Sequence, residues 1–243
     1  MTLFFLSMGI GAINPALQNI AEAFPGIPFT TIALVTTLPS LFIIPTTIIS
    51  GAIVGSKVSY RTMCLLSLAL FFVSGVAPYA LNNFTAILVA RALFGVALGI
   101  IAPIYTTLIF KLIDAAKVPG MMGLGTLIQN LGGIAMQMIA GVLCAINWRF
   151  TFLVFGFGII GFFIVMAWLP EPAKEEQVPG QKVKMPAGVY MLSAIFGLLM
   201  MLIYPMMLNM STIIVGGNLG SAAAAGMVLS MFTVGGMVAG AIF

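Results

Sequence analysis

The chain has 243 residues, of which 62% are hydrophobic and only 6% are charged, and its formal net charge at pH 7 is +4. A water-soluble domain cannot cover its surface with so few polar groups, so the composition predicts a multi-pass membrane protein. The sequence contains no histidine, which excludes His-based catalysis and His-ligated metal sites. We therefore expect no enzyme activity, no cofactor and no metal.

Eight apolar runs follow one another along the chain. They lie near residues 2–23, 29–55, 62–80, 85–110, 119–146, 150–168, 187–215 and 221–243. A bilayer core needs about 20 apolar residues per helix, and lipid offers no partner for an unpaired backbone group. The first run lacks the basic start of a secretory signal, and we interpret it as the first membrane helix. The sequence thus predicts an all-α membrane protein.

One connection is long and polar. Residues 169–186 combine proline and glycine with six charged side chains, which is typical of a solvated linker. We therefore predict a six-helix transmembrane bundle over residues 1–168, a linker over 169–186 and two further helices over 187–243.

The basic residues are divided unevenly between the two sides of the predicted membrane. The loops after the second, fourth and sixth runs carry seven Lys and Arg residues, whereas the loops on the other side carry only Arg149. Basic residues favour the cytoplasmic side, so we expect the N-terminus and the linker to be cytoplasmic. These residues form no cluster, and nucleic acid is not an expected partner.

Three sequence features follow one another in the order of a known family. Arg91 is followed by Gly95 and Gly99, the turn "NWRFTF" occupies 147–152, and the sixth run ends in "LPEP" at 169–172. Together they resemble the major facilitator superfamily of secondary transporters. The resemblance implies alternating-access transport of a small solute, with gating roles for Gly95 and Gly99. It also implies a twelve-helix transporter, here truncated after helix 8 of the incomplete C-terminal bundle.

The loop after the second run resembles the family signature less closely. The segment "GAIVGSKVSYR" keeps Gly51, Lys57 and Arg61 but has Gly55 where the family has an aspartate. The resemblance implies gating roles for the three retained residues. The missing carboxylate removes part of the cytoplasmic charge latch that the family pattern implies.

Arg91 is a lone charge near the start of an apolar run. An arginine at membrane depth costs about 2.5–3.5 kcal/mol on insertion scales, so it usually faces the bundle interior or water. Two interpretations stay open. Arg91 is either a structural residue that bonds carbonyl groups of neighbouring helices or, as the resemblance implies, a cavity-facing residue that attracts an anionic group.

Other polar side chains suggest a solute pathway. Asn14 and Gln18 stand four residues apart beside Pro15, where the first helix is expected to bend. Helices 1, 4 and 7 line the central cavity in the family, and the resemblance therefore implies substrate binding by Asn14, Gln18 and Tyr204, together with Arg91.

The fifth run carries a stripe in which glycines alternate with two glutamines, Gln129 and Gln137. Such a stripe lets helices approach closely and bond across the gap. We predict packing for Gln137, and we include Gln129 among the candidates for substrate binding.

A second class of function stays open. With eight helices, the last two have no complete bundle of their own. The alternative is therefore a non-transporting membrane protein that assembles as an oligomer or with a partner supplying four helices.

The sequence also leaves the mode of transport open. None of the five acidic residues lies near the predicted midplane, so uniport, symport and antiport all stay open. The sequence leaves the solute open as well, because this fold hosts many.

Overall fold

The computed structural model describes residues 1–55, 57–171 and 186–242, with side chains as far as Gly235. Eight long helices lie in these ranges: α1 Thr2–Ala23, α2 Leu34–Ile53, α3 Tyr60–Tyr79, α4 Phe84–Leu112, α5 Ala115–Ile146, α6 Trp148–Trp168, α7 Ala187–Gly216 and α8 Ala222–Ile242. The first seven are each long and apolar enough to cross a membrane. The predicted all-α membrane fold is confirmed. Most of the predicted linker, residues 172–185, lies outside the described residues.

Polar side chains fix where several helices begin. The Ser59 hydroxyl accepts a 3.1 Å hydrogen bond from the backbone N–H of Thr62 at the start of α3. The Asn83 side chain accepts one of 2.8 Å from the N–H of Thr85 at the start of α4. Each cap satisfies a backbone donor that has no partner within its own helix.

Helix α1 is irregular in its middle. Residues Met8–Ala16 form a 3₁₀ segment that contains Pro15, between α-helical turns on either side. Proline has no backbone N–H and clashes with the preceding turn, so it disrupts regular α-helical bonding. Helix α7 is irregular as well, since it ends in a π-helical turn over Thr212–Gly216.

The interior of the first six helices is aromatic. Phe71 of α3, Phe94 of α4 and Phe155 of α6 contact one another, with ring centroids 4.6–5.8 Å apart. All three side chains are fully buried. These rings join α3, α4 and α6 into one core.

Glycines allow α2 to lie directly on α4. A Cβ on Gly95 would overlap the backbone of Pro39, and one on Gly99 would lie 2.8 Å from the carbonyl oxygen of Ile43. The Ser50 hydroxyl also donates a 3.2 Å hydrogen bond to the carbonyl of Gly99. The two helices therefore pack backbone to backbone, as small residues permit in membranes.

The last two helices contact the first six to different extents. Helix α8 packs on α5, where a Cβ on Gly226 would lie 2.8 Å from the carbonyl oxygen of Gln137. Among the described helices α7 is the least covered, since no residue in its most apolar stretch is buried. Its contact with α1 includes Ser211 and Gly216, near its C-terminal end.

Candidate functional site

Two buried amide side chains meet where α1 crosses α5. Asn14 lies in the 3₁₀ segment of α1 and is 2% exposed, and Gln137 of α5 is 6% exposed. A Cβ on Gly11 would lie 3.2 Å from Gln137 Nε2 and 3.8 Å from Asn14 Nδ2, so both amides converge on this glycine. Asn14 Oδ1 and Gln137 Oε1 are buried and lack a hydrogen-bond partner among the described residues. Leaving a buried acceptor unpaired costs about 1–3 kcal/mol.

A polar contact joins α1 to α7 directly after Asn14 along α1, at Pro15 and Gln18. The Ser211 hydroxyl donates a 2.7 Å hydrogen bond to the carbonyl of Pro15 and accepts one of 3.3 Å from the backbone N–H of Gln18. The Gln18 side chain lies against Gly216, and its Nε2 donates a 3.0 Å hydrogen bond to Glu22. The sequence predicted Gln18 for substrate binding, and the structure places it in this interhelical contact.

The amide pair is bounded on its other side by the contact between α5 and α8. The Gln137 carbonyl faces Gly226, and the Ser230 hydroxyl approaches the carbonyl of Ile134 at 3.4 Å. Asn14 and Gln137 thus lie close to a contact of α7 with α1 and to the contact of α8 with α5.

Arg91 is enclosed by aromatic rings within the first six helices. Its guanidinium carbon lies 4.2 Å from the ring centroid of Phe94, 4.8 Å from that of Phe155 and 5.5 Å from that of Phe152. Nη2 donates a 3.4 Å hydrogen bond to the carbonyl of Ser74, and Nε has no partner among the described residues. With 1% of its surface exposed, the side chain is held by cation–π contacts. This geometry favours the structural interpretation of Arg91.

The remaining binding candidates lie apart from Arg91. Gln129 is half-buried on α5, two turns from Gln137. Tyr204 of α7 is half-buried, and its hydroxyl lies near the Ser40 side chain on α2. The structure therefore pairs Asn14 with Gln137, which the sequence had predicted as a packing residue. Its unpaired oxygen could not be foreseen from helical spacing.

The comparisons with known proteins agree with this architecture. The model of the Major Facilitator Superfamily matches residues 1–243. The chain belongs to the major facilitator superfamily. Its members are transporters, which points to transport rather than to enzyme activity. No curated protein matches the sequence.

Solved structures of superfamily transporters share the fold. A bacterial homolog of the human lysosomal transporter Spinster, inward-facing and unoccupied, matches 95% of this chain with a TM-score of 0.74 and 13% identity. A D-xylose-proton symporter matches 96% with a TM-score of 0.65, and the inward-open xylose transporter XylE from E. coli matches 70% with a TM-score of 0.58, each at 12% identity. The chain spans 58%, 64% and 47% of these three proteins. At such identities the likeness shows the fold alone.

The loop between α2 and α3, which resembles the superfamily signature, takes an unusual form here. Gly55 has a φ of +82°, which favours glycine, and the Tyr60 ring fills the space a Cβ would need. The Glu171 carboxylate accepts hydrogen bonds of 2.8 and 2.9 Å from the backbone N–H groups of Tyr60 and Arg61. The Arg61 guanidinium donates to the carbonyl of Met166 on α6. A carboxylate from the end of α6 therefore binds the start of α3.

The other gating candidates lie around this junction and on α4. Gly51 and Lys57 are exposed near the end of α2, with no atom within 4 Å of a Cβ built on Gly51. Gly95 and Gly99 lie in the close contact between α2 and α4. Glu171 was predicted as part of the linker, and its contact with α3 was missed because sequence spacing gives no distance across 110 residues.

Proposed function

We propose that this protein moves a small solute across the membrane by alternating access, as a secondary active or facilitative transporter. The polar contact of Ser211 with Pro15 and Gln18 carries the proposal. It joins α7 to α1 through hydrogen bonds and a close contact at a glycine. When the helices separate, water can replace these hydrogen bonds. Superfamily membership supports the same function.

Asn14, Gln18, Gln129 and Tyr204 line the solute path in this proposal. Support comes from the burial of the Asn14 amide and from the place of Gln18 in the contact between α1 and α7. We assign Arg91 a structural role instead, because phenylalanine rings enclose its guanidinium.

The proposed gating residues act at two levels. Gly95 and Gly99 keep α2 and α4 in backbone contact, so that these helices move together. Gly51, Lys57 and Arg61 lie at the inner ends of α2 and α3. In the proposed change between the inward-open and outward-open states, the contacts of these helix ends change. These roles follow from packing together with the family pattern.

The proposed units are residues 1–168 and residues 187–243, joined by the linker 169–186. The distribution of Lys and Arg supports a cytoplasmic N-terminus and linker. The contact between α1 and α7 then lies on the outer side, and the state described here is closed towards the outside. The likeness to an inward-facing Spinster homolog is consistent with that state.

We also propose that helices supplied by a partner cover α7. Its most apolar stretch has no buried residue on any side, whereas each of the first six helices is partly buried, and side chains such as Tyr190, Phe196 and Leu202 are exposed. Native mass spectrometry in detergent should then show an assembly heavier than the 25.6 kDa chain. A lone chain that transports solute in liposomes would contradict this assembly.

Distances between spin labels test alternating access without a known solute. The labels go on Ala23→Cys at the end of α1 and on Leu219→Cys just after α7, both exposed positions, in a background carrying Cys64→Ala and Cys144→Ala. Double electron–electron resonance in nanodiscs should show two populations, a short distance for the closed state and a longer one for the open state.

A matched pair within the first six helices serves as the control. Labels on Ala80→Cys and Ile146→Cys, both exposed positions, should give one distance under all conditions. A single short distance for the pair on α1 and α7 would contradict alternating access, whereas two distances for the control pair would indicate unfolding.

A further inference from the structure

We infer that Asn14 and Gln137 together form a binding site for an uncharged solute that carries hydroxyl groups. This inference rests on the proposed transport function and names the chemistry of its solute. Both side chains are more than nine-tenths buried, and their amide oxygens, Oδ1 and Oε1, have no hydrogen-bond partner among the described residues.

Unpaired buried acceptors are rare, because each loses its hydrogen bonds to water without replacement. The two side chains that carry these acceptors meet at one glycine, Gly11, which their amide nitrogens approach most closely. A ligand that donates hydrogen bonds to Asn14 Oδ1 and Gln137 Oε1 would remove this cost. The arrangement is therefore suited to binding a donor.

The position of the pair gives it access to a moving solute. Asn14 immediately precedes Pro15, whose carbonyl accepts the hydrogen bond from Ser211 of α7. The backbone carbonyl of Gln137 faces Gly226 of α8. When α7 and α8 move away from α1 and α5, both amides lose a cover and become open to solvent.

Packing alone does not account for Gln137. The close approach of α5 and α8 is already provided by Gly226 and by the Ser230 hydroxyl, which approaches the carbonyl of Ile134. A glutamine that held α5 and α8 together would form a hydrogen bond between its side-chain oxygen and the other helix. Its oxygen is instead unpaired.

The chemistry of an amide selects the solute. Each amide offers an acceptor oxygen and two N–H donors, and a hydroxyl group likewise both donates and accepts. A charged solute would need a countercharge in this buried place. Neither Glu22, which accepts from Gln18, nor Arg91, which lies among phenylalanine rings, makes a hydrogen bond to either amide. A neutral polyol fits these groups best.

Uptake into proteoliposomes, reconstituted with the protein together with any chains that copurify with it, tests the inference with three classes of probe. The probes are radiolabelled neutral polyols of four to six carbons (erythritol, xylitol and sorbitol), putrescine as a dication and succinate as a dianion. We expect saturable uptake of at least one polyol well above that of protein-free liposomes, and uptake of putrescine and succinate at the protein-free level.

Two variants remove the amides while keeping the volume, Asn14→Leu and Gln137→Met. Each should lower polyol uptake about five- to tenfold, as expected for one lost hydrogen bond. Their melting temperature in detergent should stay the same or rise, because an unpaired buried polar group is replaced by an apolar one. The control is Asn209→Leu, which removes an exposed amide that bonds the carbonyl of Pro205 within α7 and should leave uptake unchanged.

The outcomes separate the inference from the proposed function. Normal polyol uptake by both variants, or a lower melting temperature in both, would overturn the binding role. Uptake by the unaltered protein of a charged probe alone, or of no probe, would overturn the hydroxyl assignment. The spin-label distances require no solute, and they show independently whether the transport proposal stands.

Discussion

The Glu171 carboxylate at the end of α6 accepts a 2.8 Å hydrogen bond from the backbone N–H of Tyr60, the first residue of α3. Its second oxygen accepts from the next N–H along the helix. A negative charge at a helix N-terminus is favoured both by these unpaired donors and by the helix dipole. The junction ties α6 to α3 without needing the aspartate that Gly55 replaces.

Replacing this carboxylate should weaken the junction. Glu171→Ala should lower the free energy of unfolding by about 1 kcal/mol, a modest loss because the side chain is exposed. The corresponding fall in melting temperature is about 2–4 °C. Asp114→Asn is a matched control, since Asp114 makes only an exposed 3.5 Å ion pair with Lys117. Equal melting temperatures for the two variants would contradict a special role for Glu171.

Arg91 should tolerate loss of its charge better than loss of its shape. Arg91→Met keeps the length and removes a buried cation, so we expect near-normal stability and transport. Arg91→Lys puts a compact ammonium among the rings of Phe94 and Phe155 and should cost about 2 kcal/mol. Thermal unfolding and uptake are measured on both variants. Lost uptake in a stable Arg91→Met variant would instead support a solute-binding arginine.

Most of the fold could be predicted from the sequence, because lipid imposes a strong requirement on length and polarity. The run predicted at 85–110 is α4, Phe84–Leu112, and the run at 187–215 is α7, Ala187–Gly216. The 3₁₀ segment within α1 was less predictable. Pro15 indicates a bend, but how far the distortion extends depends on how Met8–Ala16 packs against α5.

The candidate site was predicted only in part, because helical spacing shows which residues share a face but not what they meet. Spacing favoured Asn14 for substrate binding, and this residue is buried where α1 meets α5. Spacing assigned Gln137 to packing. It also left both interpretations of Arg91 open, since the rings that enclose the guanidinium come partly from Phe152 and Phe155 on α6. Contacts between distant segments decide these roles.

The close contact of α2 with α4 should be sensitive to a single methyl group. Gly95→Ala places a Cβ against the backbone of Pro39, which cannot move as a flexible side chain can. We expect a loss of about 2 kcal/mol in the free energy of unfolding. Gly123→Ala on α5, where a Cβ meets no atom within 4 Å, should be neutral or slightly stabilising. Similar unfolding curves for these two variants would contradict the backbone contact.

Restoring the aspartate of the superfamily signature should harm this protein. Gly55 has a φ of +82°, and a Cβ there would lie 2.7 Å from the Tyr60 ring. Gly55→Asp should therefore lower the free energy of unfolding by about 2 kcal/mol, from backbone strain and from displacement of the ring. Adding Tyr60→Ala should recover part of this loss relative to Tyr60→Ala alone, because only the steric part depends on the ring. Thermal unfolding of the four proteins measures this coupling. A Gly55→Asp variant more stable than the parent would instead indicate that the loop readily adopts the charge latch and that Glu171 does not replace it.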